Sequence, residues 1–413
     1  MTVPRSTGAS VSFHSRLTVI ALAAVGTSVL SACAGPHSST ALSARGTAHS
    51  KEQAATTFRL TTGAADGERH APVGSAGDVV VSGGKISSVA LTSAQGQPVR
   101  GAVDADRRRW SPDAGLAYGT SYRLVVRASD AAGRARTRRL SFTTLAKGQR
   151  LIGMFTPEDG STVGVGMPVS VTFNKPVSDK KAVERGIRVT DDSGQEVVGH
   201  WFGDQRLDLR PQEYWKANTQ VTLSLRLNGV KGASNAYGTQ DKTVRFTIGR
   251  RQVSTVDAAA HSMRVVRDGR TVRTVPITSG APGRTTYNGK MVISEKLIST
   301  RMDGATVGYK GEYDIPDVPH AMRLSTSGTF VHGNYWAPDS VFGHSNVSHG
   351  CVGLDDIRGG GDPNQDAAWF YDNSIIGDVV VVEHSHDHTI APDNGLNGWN
   401  MSWQHWQDGS AIR

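Results

Sequence analysis

Residues 328–354, GTFVHGNYWAPDSVFGHSNVSHGCVGL, contain the two side chains on which the interpretation of the fold and the chemistry depends. An apolar, strand-like run leads into His332, and the block Ser348-His349-Gly350-Cys351 follows after a spacer. A free thiol has a pKa of about 8.5 and needs a neighbouring base to become an efficient nucleophile at neutral pH. We therefore predict that Cys351 is a catalytic nucleophile and that His332, held rigidly by the strand, is its base.

The second cysteine, Cys33, ends an apolar leader that resembles a bacterial lipoprotein signal peptide over residues 1–33. The uncharged stretch Leu17 to Leu30 is short for a membrane-spanning helix and suits the apolar region of a signal peptide. We expect lipidation of Cys33 to anchor the protein to the outer face of the cell membrane, facing the cell wall. An ordinary secretory leader and an uncleaved anchor are the alternatives. With Cys33 lipidated, Cys351 has no partner for an intramolecular disulfide, which favours a reactive role for its thiol.

The composition predicts a soluble, globular chain with a basic surface. Hydrophobic residues make up 38% of the 413 residues, the mean hydropathy is -0.33 and the formal net charge is +8. Two clusters, Arg107–Arg109 and Arg134–Arg139, would attract anionic polymers or lipid head groups, unless they only form solvated strand faces. Nucleic acid is not expected as a partner, because no nucleic-acid-binding motif accompanies the charge and the predicted compartment is extracytoplasmic.

The predicted fold class is mainly β. Residues 34–55 are small and polar and indicate a flexible tether. Short alternating runs separated by Gly, Asp and Ser follow, and this pattern favours β-sandwiches. The segment Ser93–Gly101 is echoed by Asp191–Gly199, and the offset predicts two tandem immunoglobulin-like domains at 56–147 and 148–249. Neither repeat contains a catalytic constellation, so both are interpreted as spacers or binding modules.

A third domain is predicted at 250–384. It is expected to be rich in strands, with a hairpin turn at Asp268-Gly269 and one helix near Gln365 to Asn373. Residues 385–413 form a C-terminal extension in which Trp399, Trp403 and Trp406 recur at the spacing of one helix face. We expect this extension to pack back onto the third domain, with a glycan-binding platform as the alternative.

The run His332-Gly333-Asn334-Tyr335-Trp336, followed by Ser348-His349-Gly350-Cys351, resembles the signature of the L,D-transpeptidases, cysteine enzymes that remodel bacterial peptidoglycan. With the leader, the two sandwiches and the Trp-rich tail, the chain resembles mycobacterial and other actinobacterial members over its whole mature length. The resemblance implies that Cys351 attacks a donor tetrapeptide, releases D-Ala and forms a thioester. An acceptor diamino-acid amine would then resolve the thioester as a 3→3 cross-link, whereas water would make the enzyme an L,D-carboxypeptidase. Carbapenems are expected to acylate the thiol, and no cofactor is expected.

The resemblance also implies roles for residues around the nucleophile. The backbone carbonyl of Gly333, where many relatives have Ser, would orient the imidazole of the base. The amides around Gly350 and Cys351 would stabilise the oxyanion of the tetrahedral intermediate. His349 would either fix the loop by hydrogen bonds or transfer protons, and Ser348 would orient the loop or contact substrate.

Candidate substrate-binding residues lie on both sides of the motif. Met302 and Tyr313 match positions on a lid over the active site of relatives. Tyr335 and Trp336 would wall the donor site or pack in the core. Relatives commonly have Asn or Arg two residues after the nucleophile, where this chain has Gly353, so its contacts with substrate are expected to differ there.

Two other interpretations compete with this one. Another cysteine peptidase, amidase or wall hydrolase would need a different arrangement, because papain-like enzymes place Cys before His and sortases need a later Arg. A non-catalytic wall-binding lipoprotein leaves the pair of His332 and Cys351 unexplained. The run His384–His388 offers metal-ligand types, but no further ligand pattern accompanies it, so no metal site is predicted.

Overall fold

Strands dominate the computed structural model, which describes residues 57–413. The predicted signal peptide, Cys33 and the tether lie outside the described residues. Within them the strands form separate sheets in three successive stretches of chain, around three hydrophobic cores. No helix of this part of the chain is long and apolar enough to cross a membrane. The predicted mainly β fold class is confirmed, whereas the domain limits at 147, 249 and 384 stay predictions.

The first stretch folds as two sheets packed face to face. Its strands are β1 (Arg59–Thr62), β2 (Val79–Ser82), β3 (Gly84–Ser93), β4 (Gly101–Val103), β5 (Arg109–Pro112), β6 (Ser121–Asp130) and β7 (Ala135–Thr143). They pair in the orders β1-β2-β5-β4 and β3-β6-β7. Because side chains alternate along a strand, β6 buries Tyr122, Leu124 and Val126 and exposes Arg123 and Arg127.

The second stretch, which follows a short 3₁₀ turn at Lys147–Gln149, contains two four-stranded sheets and one small sheet. Its strands and helix are β8 (Arg150–Leu151), β9 (Gly153–Thr156), β10 (Thr162–Val163), β11 (Val169–Phe173), α1 (Lys180–Arg185), β12 (Ile187–Asp191), β13 (Val197–Phe202), β14 (Arg206–Pro211), β15 (Gln220–Arg226), β16 (Lys231–Ala233), β17 (Ala236–Gly238) and β18 (Asp241–Ile248). The sheet orders are β10-β18-β15-β12, β13-β14-β11-β9 and β16-β17-β8. Phe173, Trp215 and Phe246 are fully buried between the sheets.

The third stretch forms a nine-stranded mixed sheet. Its elements are β19 (Gln252–Asp257), β20 (Ser262–Arg267), β21 (Arg270–Thr278), β22 (Gly289–Val292), β23 (Glu295–Asp303), β24 (Asp314–Arg323), β25 (Phe330–Asn334), β26 (Val352–Asp355), α2 (Asp366–Asp372) and β27 (Val379–Glu383). The strand order is β22-β27-β19-β20-β21-β26-β25-β24-β23. Asp268 and Gly269 have φ of 49° and 80°, the positive values of a two-residue hairpin turn. The helix expected near Gln365 to Asn373 is α2.

The C-terminal extension is not one helix. It contains a 3₁₀ turn, Gly398–Asn400, and a separate helix α3, Trp403–Asp408, so the three tryptophans do not share one helical face. The helical conformation is interrupted at Ser402. The Ser402 hydroxyl accepts a hydrogen bond from the His405 N–H at 3.2 Å and thereby caps α3. The prediction of a single helix is therefore wrong, because regular spacing of tryptophans carries no information about a cap between them.

The extension joins the second sandwich as well as the third domain. Trp399 donates from Nε1 to the Gly166 carbonyl at 2.7 Å, and Trp406 donates to the Val198 carbonyl at 3.0 Å. The buried carboxylate of Glu184 accepts from the Ser410 hydroxyl and from the Ala411 N–H. On the other side, the side-chain oxygen of Asn397 accepts from an N–H of β22 at 3.0 Å. The expected packing onto the third domain is thus only part of what the extension does.

Candidate active site

The nucleophile and the base lie on two neighbouring parallel strands. His332 belongs to β25, and Cys351 directly precedes β26. In the register of the pair, Val331 lies opposite Val352 and His332 opposite Gly353. The side chains of His332 and Cys351 both line one cavity of about 510 Å³. The pairing of these strands therefore brings together two residues that the sequence separates by a long loop.

A backbone carbonyl fixes the imidazole of His332. Its Nδ1 lies 2.9 Å from the carbonyl oxygen of Gly333, as the resemblance implied. A carbonyl can only accept, so Nδ1 carries the hydrogen and Nε2 keeps its lone pair. His332 is 4% exposed, and this burial lowers the pKa of the imidazole. The side chain is therefore a neutral base at pH 7.

The thiol of Cys351 is protonated at rest. The surrounding protein atoms displace part of the water around the sulfur, and this desolvation raises the pKa of the Cys351 thiol to about 11. The sulfur lies 3.5 Å from the carbonyl oxygen of Gly328, a weak acceptor contact. A neutral thiol beside a neutral imidazole indicates that the proton leaves as the sulfur attacks, not before.

These two pKa shifts predict an unusual separation of pH profiles. We expect acylation of Cys351 by a carbapenem to be nearly independent of pH between about 7 and 9, because the imidazole is neutral and the thiol protonated throughout. Acid should slow acylation only below the ordinary histidine pKa of about 6.5, since burial lowers the pKa of His332. Alkylation by iodoacetamide, which requires thiolate, should instead rise with pH towards about 11. Stopped-flow rates would check both; alkylation that is already maximal at neutral pH would indicate a preformed ion pair.

The loop before the nucleophile is held by Ser348. Its hydroxyl donates to the Cys351 carbonyl at 2.6 Å and accepts from the Gly350 N–H at 3.2 Å. Gly350 has φ of 109°, a conformation open essentially to glycine. The Gly350 N–H is therefore hydrogen-bonded within the loop. The expectation that it stabilises the oxyanion is wrong for this N–H. The Cys351 N–H has no hydrogen-bond acceptor among residues 57–413 and is the free donor beside the sulfur.

A hairpin covers the site as a lid. It consists of β23, a 3₁₀ turn at Gly304–Val307 and β24. Met302 and Tyr313, the two residues matched to a lid by resemblance, both line the cavity of about 510 Å³. Both also line a second cavity of about 280 Å³ that reaches Cys351. Burial raises the pKa of Tyr313 to about 12, so its hydroxyl stays protonated.

A cluster of charged and polar side chains, which was not predicted from the sequence, connects this lid to the loop of the nucleophile. Glu312 lies 2.5 Å from the guanidinium of Arg284 and 3.1 Å from Nε2 of His349. The rings of Tyr313 and His349 are 4.8 Å apart between centroids. Nε2 of His349 thus lies between the Arg284 guanidinium, 3.0 Å away, and the lid carboxylate of Glu312, which favours a role in fixing the loop over a role in proton transfer.

Two family models match the chain. The one described as L,D-transpeptidase catalytic domain matches residues 251–382, and the one described as bacterial Ig domain matches residues 68–231. The chain is also 30% identical over 358 residues to L,D-transpeptidase 2 of Mycobacterium tuberculosis, covering 86% of this chain and 85% of that protein. The chain belongs to the L,D-transpeptidase family.

Other similar proteins belong to the same family. L,D-transpeptidase 5 of Mycobacterium tuberculosis is 33% identical over 363 residues, covering 86% of this chain and 77% of that protein. A solved structure of an L,D-transpeptidase in complex with imipenem is 30% identical, covers 56% of this chain and 97% of its own, and has a TM-score of 0.48. The predicted family is confirmed, and this L,D-transpeptidase is accordingly an enzyme that acts on peptidoglycan.

In this L,D-transpeptidase a neighbouring carboxylate explains the glycine after the base. A Cβ built on Gly333 would lie 2.1 Å from Oδ2 of Asp356, far inside contact distance. That carboxylate is fixed, because it is bonded to Nδ1 of His320 at 2.7 Å and accepts from the Ile357 N–H at 2.9 Å. The buried pair of His320 and Asp356 therefore occupies the space into which a serine side chain would project.

Neighbouring side chains also explain why glycine stands at position 353, as Asp356 does for Gly333. A Cβ built there would lie 2.8 Å from Thr278 and 3.2 Å from Nδ2 of Asn334. Asn334 lines the cavity, and its Oδ1 accepts from the Ala337 N–H at 3.1 Å. Its Nδ2 donates to no residue of the described chain. Asn334 was not singled out from the sequence. It offers an amide donor on β25, next to Gly353 on the neighbouring strand β26.

We expect Asn334→Ala to lower kcat/KM for a donor peptide by about 10- to 100-fold, the loss that follows when one buried hydrogen bond to a substrate is removed. The effect should fall mainly on KM, because Asn334 does not contact the sulfur. Steady-state kinetics with a tetrapeptide donor would measure this, beside the thermal unfolding midpoint as a control for folding. An unchanged kcat/KM in a folded variant would exclude Asn334 from donor binding.

The aromatic pair after the base has two different positions. Trp336 is 42% exposed and lies parallel to the imidazole of His332, with centroids 5.6 Å apart. It lines the cavity and is not a core residue. Tyr335 lies edge-on behind Trp336, away from the cavity lining, and its hydroxyl donates to Asp317. Of the two expected walls, the structure therefore places only Trp336 at the cavity.

The histidine run after β27 does not line the two cavities that reach Cys351, but its last two residues, Asp387 and His388, line a neighbouring cavity of about 400 Å³ with His349 and Gly350. His384 pairs with Asp257 at 3.1 Å, and His388 pairs with Asp387 at 2.6 Å. Within residues 57–413 no group of three or more His, Cys, Asp or Glu side chains is arranged to hold a metal ion.

Proposed function

We propose that this L,D-transpeptidase forms 3→3 cross-links in peptidoglycan through a thioester of Cys351. The observation that carries the proposal is the geometry of the pair. His332 has its Nδ1 hydrogen committed to Gly333, and its side chain shares a cavity with the sulfur. This leaves Nε2 as the lone-pair acceptor for the thiol proton.

In the first half-reaction, the sulfur attacks the carbonyl carbon between the diamino acid and the terminal D-Ala of the donor. The thiol proton passes to Nε2 of His332 as the S–C bond forms. The Cys351 N–H donates to the oxyanion, and the imidazolium then returns the proton to the nitrogen of D-Ala. The C–N bond breaks, D-Ala leaves and the donor remains as a thioester.

In the second half-reaction, the amine of a diamino acid on another stem peptide attacks the thioester. Nε2 of His332 accepts the proton of the amine, a new amide forms, and the sulfur leaves and recovers a proton. Cys351 lines the cavities of about 510 Å³ and 280 Å³, and Met302 and Tyr313 line both. Two openings onto one sulfur support the use of two peptide substrates.

We also propose that lipidation of Cys33 holds the enzyme at the outer face of the membrane. The support is the leader, in which Arg5 and Arg16 precede an uncharged apolar stretch and small residues flank Cys33. The peptidoglycan substrate of the family lies in the same compartment.

The test is incubation of residues 57–413 with a disaccharide-tetrapeptide, followed by mass spectrometry of products and of intact protein. We expect a dimer that lacks one D-Ala, and a protein adduct on Cys351 with the mass of the disaccharide-tripeptide acyl group. A Cys351→Ala variant is the control. Tripeptide without dimer would instead indicate an L,D-carboxypeptidase, and no product with no carbapenem adduct would contradict the thiol mechanism.

A further inference from the structure

The first sandwich carries an open groove that is remote from the reaction described above. The groove has a volume of about 880 Å³ and is lined by the guanidinium groups of Arg134, Arg136 and Arg138. The groove is also lined by the carboxylate residue Asp130, whose side chain is only 5% exposed. It pairs with Arg134 at 2.8 Å and with Arg136 at 3.2 Å. The groove therefore presents excess positive charge to solvent.

The sheet β3-β6-β7, whose edge strand β7 supplies Arg136 and Arg138 to the groove, carries further positive charge on its opposite, outer face. Its central strand, β6, points Arg123 and Arg127 to solvent. Lys85 of β3 and Arg139 of β7 share that face, because each pairs with an outward-facing residue of β6. Asp130 is the only acidic residue of the three strands. The basic surface wraps around the β7 edge of this sheet and is defined by seven residues. Arg134, Arg136 and Arg138 lie on the groove side, where Arg136 and Arg138 pair with the inward-facing Ala128 and Val126. The outer face contributes Lys85, Arg123, Arg127 and Arg139.

Protection of a sheet edge explains only part of the basic surface. β7 is an edge strand, and charged side chains on an edge strand prevent pairing with other chains. This accounts for Arg136 and Arg138. It does not account for Arg123 and Arg127, because β6 is paired on both sides and has no free edge.

The described chain begins on the groove side of this surface. Thr57 and Phe58 line the groove, and the guanidinium of Arg136 lies 5.9 Å above the Phe58 ring. The proposed lipid attachment at Cys33 lies only 24 residues before Thr57. As the flexible tether predicted from the sequence, a chain of that length would span about 27 Å on average. An anchor at Cys33 would therefore hold the basic surface within reach of the membrane.

We propose that the basic surface binds the phosphate head groups of anionic phospholipids and lays the first sandwich against the membrane. Guanidinium groups suit this task because they bind phosphate oxygens in a bidentate manner. Several of them acting within one screening length of an anionic bilayer add their attractions. This surface goes beyond the proposed function, and for its proximity to lipid it rests on the proposed anchor.

The test uses residues 57–413, which contain all three hydrophobic cores and lack the lipid. We expect co-sedimentation with vesicles of phosphatidylcholine and phosphatidylglycerol, little binding to phosphatidylcholine alone, and loss of binding in about 0.5 M NaCl. Two triple variants, Arg134→Gln/Arg136→Gln/Arg138→Gln and Arg123→Gln/Arg127→Gln/Arg139→Gln, should each weaken vesicle binding by about 10- to 100-fold.

The matched control is Arg188→Gln/Arg245→Gln/Arg264→Gln, which removes the same charge from exposed positions elsewhere. It should bind vesicles nearly as well as the parent protein. All variants should keep the carbapenem acylation rate, which separates this surface from the catalytic site and reports folding. An equal loss in the control, or binding that does not need anionic lipid, would overturn the proposal. Binding of soluble polyphosphate but not of vesicles would assign the surface to a wall polymer and would also overturn it.

Discussion

Replacing Cys351 by alanine is expected to abolish cross-linking, with a loss on the order of 10⁶-fold in kcat, the scale seen when a catalytic nucleophile is removed. Both half-reactions pass through the sulfur, so neither residual base catalysis nor substrate binding can substitute for it. The measurement is dimer formation from disaccharide-tetrapeptide by mass spectrometry. Intact-protein mass after carbapenem treatment should show no adduct in the variant.

A Cys351→Ser variant makes this prediction sharper. It keeps the size of the side chain but replaces the thiol by a much less acidic hydroxyl, so it should also fail to form a stable adduct. Cys351 is partly exposed and makes one weak contact with the Gly328 carbonyl, so both variants should unfold at nearly the parent temperature. Dimer formation by a folded Cys351→Ala protein would show that another residue is the nucleophile.

Replacing His332 by glutamine is expected to lower acylation at neutral pH by about 10²- to 10⁴-fold, the usual contribution of a general base. The thiol remains, but with its pKa raised to about 11 almost none of it is ionised without the imidazole. The variant should therefore recover activity as pH rises, whereas the parent enzyme should not. Rates of carbapenem acylation across the alkaline range would show this difference directly.

The matched control for His332 is His344→Gln. His344 is an exposed histidine of the same loop region and does not line the cavity. It should leave the acylation rate within about twofold of the parent, as expected for a surface substitution. A His332→Gln protein that is folded, slow and equally slow at high pH would contradict the role of the imidazole as the base for the thiol.

The central chemistry was predictable because one short segment contains it. His332 and Cys351 flank a single loop, and the apolar run before the histidine signalled the strand that positions it. The lid residues Met302 and Tyr313 were reachable only through the family resemblance. No periodicity in the hairpin indicated that its side chains would face a thiol.

Contacts between distant segments were not predictable from local pattern. Arg284, Glu312 and His349 come from three separate loops, and charged residues are too common for sequence to say which of them meet. Asn334 lies within the motif, but its exposure to the cavity depends on the small size of Gly353 on the opposite strand. The proximity of Asn334 to Gly353 follows from the parallel register of β25 and β26, which the sequence does not show.

The burial of Glu184 beneath the C-terminal residues has a consequence for the order in which the protein folds. Its hydrogen bonds to Ser410 and Ala411 join positions that lie 226 and 227 residues apart in the chain. During vectorial synthesis, the second sandwich is made long before the residues that complete its surface. The carboxylate of Glu184 therefore stays solvated until Ser410 and Ala411 have been synthesised. The C-terminal contacts, which add to direct hydrogen bonds from the Gly164 and Gly166 N–H groups to the Ile376 and Gly377 carbonyls, are consequently completed last.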